Sequence, residues 1–185
     1  MKLIVFAGRN TKEMLRDPIN LAFGIGFPVI LMLLLTAIQS NVPVDIFQLD
    51  KLTPGIAVFG LSFITLFSAT LISKDRSSSL LARLFTTPMT SSEFILGYTL
   101  PLLPMAIVQG IICYITAFIL GLEMTPSIII AIVLIIPMAL LFIAIGLLCG
   151  SIFNDKQVGG ICGALLTNLT AWLSGAWFDL DLVGG

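Results

Sequence analysis

The chain has 185 residues, of which 58% are hydrophobic and 10% charged, and its mean hydropathy is +1.12. A soluble domain carries roughly 45–50% apolar and about 25% charged residues, and at this size buries only about 70% of its surface, so hydrocarbon must solvate much of this protein. The absence of histidine removes His-based triads, His metal sites and His proton switches, and a net charge of −1 argues against a nucleic-acid partner.

The charged residues are unevenly placed. Segments 19–38, 54–73, 94–120, 126–150 and 158–178 contain none, and each is 20 to 27 residues of mostly Leu, Ile, Val, Phe, Ala and Gly. A spanning helix needs about 20 such residues. The chain therefore reads as an all-α polytopic membrane protein, with five transmembrane helices in one transmembrane domain over 1–185.

Helix starts follow from local chemistry. Asp17-Pro18, Thr53-Pro54 and Thr125-Pro126 each set a capping oxygen before a proline at the first helical position. These predict the starts of the first, second and fourth spans. Thr90 to Glu93 fits a capping box before the third span. Asn154 or Asp155 can cap the fifth, and Trp177 near its end suits an interfacial belt.

Basic residues set the expected orientation. Lys2, Arg9, Lys12, Arg16, Lys74, Arg76, Arg83 and Lys156 fall on one side and only Lys51 on the other, while acidic residues divide evenly. Positive charge stays inside, which places the tail and the connections 74–93 and 151–157 in the cytoplasm. The apolar stretch Leu3 to Ala7 is too short for a cleavable signal. Five spans is an odd number, and a further segment is expected after the closing Asp-Leu-Asp-Leu-Val-Gly-Gly.

The inventory of chemistry is sparse. No ionisable residue lies within a span, which argues against a proton-driven carrier; a sodium-coupled one built on broken helices stays open. No Gly-rich phosphate loop, paired carboxylates, nucleophile elbow or zinc-binding helix motif is present. Cys113, Cys149 and Cys162 lack metal or disulfide spacing and read as packing residues. No metal or cofactor is expected on this chain.

Uncharged polar residues do enter the spans: Ser62, Thr65, Ser68 and Thr70, then Gln109, then Thr167, Asn168, Thr170 and Ser174. Interhelical hydrogen bonds explain most residues of this kind. The sharper reading makes Ser62, Thr65, Gln109, Thr167, Asn168 and Thr170 the lining of a substrate path. Gly146–Gly150 and Gly159–Gly163 have the spacing for close helix approach, expected within the monomer rather than at a dimer seam. Pro28, Pro101, Pro104 and Pro137 predict kinks.

The connection 74–93 is the most informative stretch. Capping residues are followed by Leu80, Leu81, Leu84 and Phe85 on one helical face, and Pro88 ends the helix at Thr87. A short amphipathic helix results; one lying among lipid headgroups fits these residues equally well.

The run from Ile72 through Arg76, Leu80-Leu81-Ala82-Arg83-Leu84-Phe85-Thr86-Thr87-Pro88 and Glu93 to Gly97 resembles the signature of type-2 ABC transporter permeases. Leu15 to Pro18 followed by Pro28, and Leu173 to Phe178, are similar to that family's entry into its first span and the end of its fifth. The resemblance implies a six-span permease that pairs as a homodimer or heterodimer and takes its energy from a separate ATP-binding subunit, which holds ATP and Mg. It implies a cytoplasmic coupling helix within 77–87, with Ser77, Leu80, Leu81, Arg83, Leu84 and Phe85 facing the ATPase. The tail 1–16 becomes an interface helix, whose Arg9, Lys12, Glu13 and Arg16 share a polar face. The implied location is the cytoplasmic membrane of a prokaryotic cell, and a sixth span is missing from the sequence. The leading expectation is thus the permease of an exporter, not itself an enzyme. The alternative is a membrane scaffold or assembly subunit that transports nothing.

Overall fold

Backbone polar groups have no water to bond within a bilayer, so a chain this apolar must satisfy them inside its own helices. A computed structural model describes residues 2–42 and 47–177, and among these no strand occurs. The helices are α1 (Lys2–Leu15), α2 (Pro18–Gln39), α3 (Leu49–Ser77), α4 (Leu80–Phe85), α5 (Ser91–Ile119), α6 (Pro126–Ile152) and α7 (155–173). Of these, α2, α3, α5 and α6 are long and apolar enough to cross a membrane.

Several boundaries follow local chemistry. The Asp17 side chain accepts a hydrogen bond from the Asn20 amide, with Pro18 in the first helical turn of α2. Thr90 and Glu93 form the reciprocal capping box at the start of α5. Asn154 does the same with Gln157 at α7. Pro126 opens α6 after Thr125, whose side chain makes no capping bond.

The second start differs from expectation. α3 begins at Leu49 and carries Pro54 inside it, while Thr53 Oγ1 donates to the Leu49 carbonyl at 2.5 Å rather than capping a helix. Neighbouring backbone and side-chain groups compensate for a proline in a membrane helix.

The helix at 155–173 also departs from the predicted segment 158–178. It starts three residues earlier, closes at Leu173 and is followed by Gly175 at φ +69°; Phe178 lies outside the described residues. Its charged first turn and its Thr167, Asn168 and Thr170 keep it from matching the apolar character of the other four.

α3 is the centre of the bundle. In its most apolar stretch 78% of the residues are buried, against 22–44% in α2, α5 and α6. The sequence explains this order: α3 is rich in glycine, alanine and hydroxyl residues, which permit close approach and interhelical bonds. α6, the most apolar, turns Ile129, Ile130, Val133, Leu134 and Leu141 outward, where lipid solvates them.

The α3–α6 seam shows what the first glycine pair does. A Cβ on Gly146 would lie 1.7 Å from Ser68 Oγ and 2.4 Å from the Thr65 carbonyl oxygen; one on Gly150 would lie 2.3 Å from the Ala69 carbonyl oxygen. At this separation Thr65 Oγ1 donates to the Phe142 carbonyl at 2.9 Å and Ser68 Oγ to the Ile143 carbonyl at 3.3 Å. Packing within the monomer is therefore the use of Gly146–Gly150. The second pair is different, because Gly159 faces open space and Gly163 meets only Leu66, at 3.5 Å.

α7 runs beside α3 along most of its length. At one end Ser73 Oγ donates to the Asp155 carboxylate. At the other, Gly55 abuts the Ser174 carbonyl and Ala176. Two segments have i→i+5 bonding, Ala22–Gly26 in α2 and Gly159–Leu166 in α7. In α7 the wider turn lets Thr167 Oγ1 reach the Cys162 carbonyl five residues back, at 3.0 Å. The helices run on through Pro101 and Pro104 in α5 and Pro137 in α6.

Candidate functional site

Three elements meet where α3 ends. α3 continues past the uncharged segment through Lys74, Asp75 and Arg76 to Ser77, and only then does the chain break, at Ser79 with φ +58°. Left-handed backbone is uncommon for a residue with a side chain, and here it redirects the chain into α4. Ser77 is therefore the last residue of α3, and within the expected helical segment 77–87 the separate short helix α4 runs from Leu80 to Phe85. Thr86 and Thr87 end α4 by donating their hydroxyls back to the Arg83 and Leu84 carbonyls at 2.7 and 2.6 Å.

Asp75 is the residue that sequence reasoning missed. It stands on the buried face of α3, one and two turns beyond Leu71, Ile72 and Ser68, and is 1% exposed. A carboxylate in such a place needs charged and hydrogen-bonding partners. Arg9 Nη1 lies 2.6 Å from Asp75 Oδ2, and Tyr98 OH donates to the same oxygen at 2.8 Å. Arg9 also pairs with Glu13 at 2.5 Å. Burial opposes the charge on Arg9, but the hydrogen bond and charge of Asp75, joined by Glu13, raise its pKa above the ordinary value. The guanidinium stays charged and holds the carboxylate.

α1 is docked as well as amphipathic. Phe6, Ala7 and Asn10 are buried; Asn10 Nδ2 donates to the Gly97 carbonyl at 3.0 Å, and Phe6 packs edge-on against Tyr98 with ring centres 5.0 Å apart. Of the predicted polar face, Arg9 turns toward Asp75. Ile4 and Val5 remain exposed at 73% and 70%. Lys2 Nζ reaches the Pro88 carbonyl at 3.1 Å, tying α1 to the segment after α4.

α4 rests on the same cluster. Leu81 and Leu84 pack toward Phe6, Leu71, Ile72 and Tyr98, while Leu80 is half-buried and Arg83 exposed. Phe85 is 76% exposed yet stacks on Phe94, with ring centres 6.1 Å apart. Phe94 in turn meets Tyr98 edge-on at 5.1 Å. An unbroken series of contacts thus runs from Phe85 through Phe94 and Tyr98 to Asp75 and Arg9. Nearby, the Arg76 guanidinium donates to the Ser151 carbonyl and, at 2.7 Å, to that of Phe153, fastening the α6–α7 turn to α3.

The residues expected to line a path are distributed over α3, α5 and α7. Ser62 and Thr65 are buried in α3 and bond backbone carbonyls of Phe59 and Phe142. Gln109 is 1% exposed; its Nε2 makes only long contacts, 3.5 Å each to the Ala57 carbonyl and Cys113 Sγ, and its Oε1 has no partner among the described residues. Thr167 and Thr170 are half-buried and Asn168 exposed on α7, and all three bond carbonyls of their own helix. Among the described residues no three Cys, Asp or Glu side chains gather as they would around a metal ion.

No curated protein and no solved structure matches the chain. The family model described as ABC-2 type transporter matches residues 1–184, nearly the whole length. With that match over helices long enough to cross a membrane, the chain belongs to the ABC-2 type transporter family and is a membrane domain of an ABC transporter with a permease-type role in transport.

Proposed function

We propose that this chain is the permease subunit of an ATP-driven exporter in the cytoplasmic membrane of a prokaryotic cell. In this reading α1, α4 and the α6–α7 turn face the cytoplasm, and 155–173 makes a fifth crossing. ATP and magnesium are held by a separate ATPase subunit, and two permease subunits, alike or different, frame the pathway. The alignment of α7 with α3 from Ser73 to Gly55 supports the fifth crossing. The excess of basic residues beside α1 and α4 supports the orientation.

The observation that carries the reading is the double-faced position of α4. Its inner residues Leu81 and Leu84 join the core, while Arg83 and Phe85 are exposed among the described residues, Phe85 touching only the Phe94 ring. Movement of α4 by a partner would pass through Phe94 and Tyr98 to Asp75, on the helix around which the others pack. This suits a chain that lacks a phosphate-binding loop and receives its energy from outside.

The test is affinity purification of the tagged chain from its native membrane. An ATP-binding subunit should accompany it and be lost with Arg83→Glu and with Phe85→Ala, both at exposed positions where the fold is expected to survive. Leu84→Asp is a poor probe, because it damages the core beneath α4. Pairing retained in both outward-facing variants would sink the assignment of α4. Absence of any ATPase from the unaltered preparation would favour the scaffold.

A further inference from the structure

A cavity of about 1040 Å³ lies at the end of the bundle opposite α1 and α4, between the α2–α3 and α5–α6 connections. Four helices shape it: Gln39 closes α2, Asp50 lies in the first turn of α3, Tyr114 stands near the end of α5, and α6 begins beside it. Its size is just above the roughly 300–1,000 Å³ of small-molecule sites.

Three features of its wall point to one kind of ligand. Asp50 and Glu123 are its charged lining, and no Lys or Arg stands among the described residues that line it. Phe47 and Tyr114 add aromatic rings. The Thr36 hydroxyl, which also lines it, is shielded from solvent and has no hydrogen-bond partner among the described residues.

A concave site with low-dielectric walls and charge of one sign concentrates ions of the opposite sign. Aromatic faces attract cations further. An anion would meet two like charges and gain nothing from either ring.

We propose that this cavity binds an organic monocation, with its charge drawn by Asp50 and Glu123 and its apolar body against Phe47 and Tyr114. The inference rests on the permease reading and gives that pathway a substrate class, cationic amphiphiles. Binding is nevertheless a property of the chain alone, so it can be measured with no ATPase present. Its failure therefore leaves the purification test of α4 untouched, and the reverse also holds.

The experiment uses the purified chain in detergent, with empty micelles as the blank, and two probes of the same shape but opposite charge: tetraphenylphosphonium and tetraphenylborate. Saturable binding of the cation is expected, at least tenfold tighter than that of the anion. The Asp50→Asn, Glu123→Gln double variant should weaken the cation by about fivefold for each charge removed and leave the anion no weaker. Equal affinity for the two probes, saturable binding of neither, or unchanged cation binding by the double variant would each overturn the proposal. The comparison of probes on unaltered protein decides the matter even where the variants do not fold.

Discussion

Arg9 and Asp75 form an ion pair of 2.6 Å between the N-terminal helix and the central one, with the Arg9 side chain 38% exposed and the Asp75 side chain 1%. The asymmetry predicts which loss matters. Arg9→Ala strands a buried carboxylate that retains only the Tyr98 hydroxyl. Breaking a fully buried pair costs 3–5 kcal/mol; because Arg9 is partly solvated, about 2 kcal/mol is expected here. Thermal unfolding in detergent measures it. Adding Asp75→Asn to Arg9→Ala should recover at least half the loss, since the amide can still accept from Tyr98 without a stranded charge. No recovery would mean that Arg9 contributes through packing alone.

The two glycine pairs separate in the same assay. Gly146→Ala forces a methyl group against Ser68 Oγ and the Thr65 carbonyl, so α3 and α6 must part and the Thr65–Phe142 bond must lengthen. A loss of about 2 kcal/mol is expected from such overpacking. Gly159→Ala meets open space in a helical backbone and should be neutral or slightly stabilising, by up to about 1 kcal/mol. Equal effects at the two positions would contradict the tight α3–α6 contact.

Gln109 gives a test in which stability and transport diverge. Its carbonyl oxygen is buried without a partner and its amide is poorly engaged. Gln109→Leu removes an unsatisfied group, and an apolar replacement of similar size is expected to raise stability by about 1 kcal/mol. Where Gln109 serves the pathway, the same variant lowers transport by the reconstituted complex while its melting temperature rises. A fall in both would show that Gln109 has a structural partner after all.

Much of the fold is legible because its determinants are local. Asp17 with Asn20, Thr90 with Glu93 and Asn154 with Gln157 act within a single turn, and the starts of α2, α5 and α7 follow from them. Thr53-Pro54 misleads for the same reason, since the residues that start α3 lie earlier and the buried surroundings tolerate the proline. The helical spacing of Ser62, Thr65 and Ser68 reveals a polar face, but the destination of Thr65 and Ser68, carbonyls of α6, depends on neighbours 77 and 75 residues away. Asp75 is not legible from its immediate neighbours. Set between Lys74 and Arg76 it looks like solvated connection, and its partner Arg9 is 66 positions distant. Its spacing from Ser68, Leu71 and Ile72 was the available sign that the buried face continues.

The unbroken length of α3 has one more consequence. At about 1.5 Å per residue its 29 residues reach about 43 Å, well beyond the roughly 30 Å of hydrocarbon. Asp50, beside the large cavity, and Asp75, held by Arg9, therefore stand at opposite ends of a single stiff rod. The ion pair at one end and the cavity at the other are thus joined by one continuous helix, held closely against α6 at Gly146 between them.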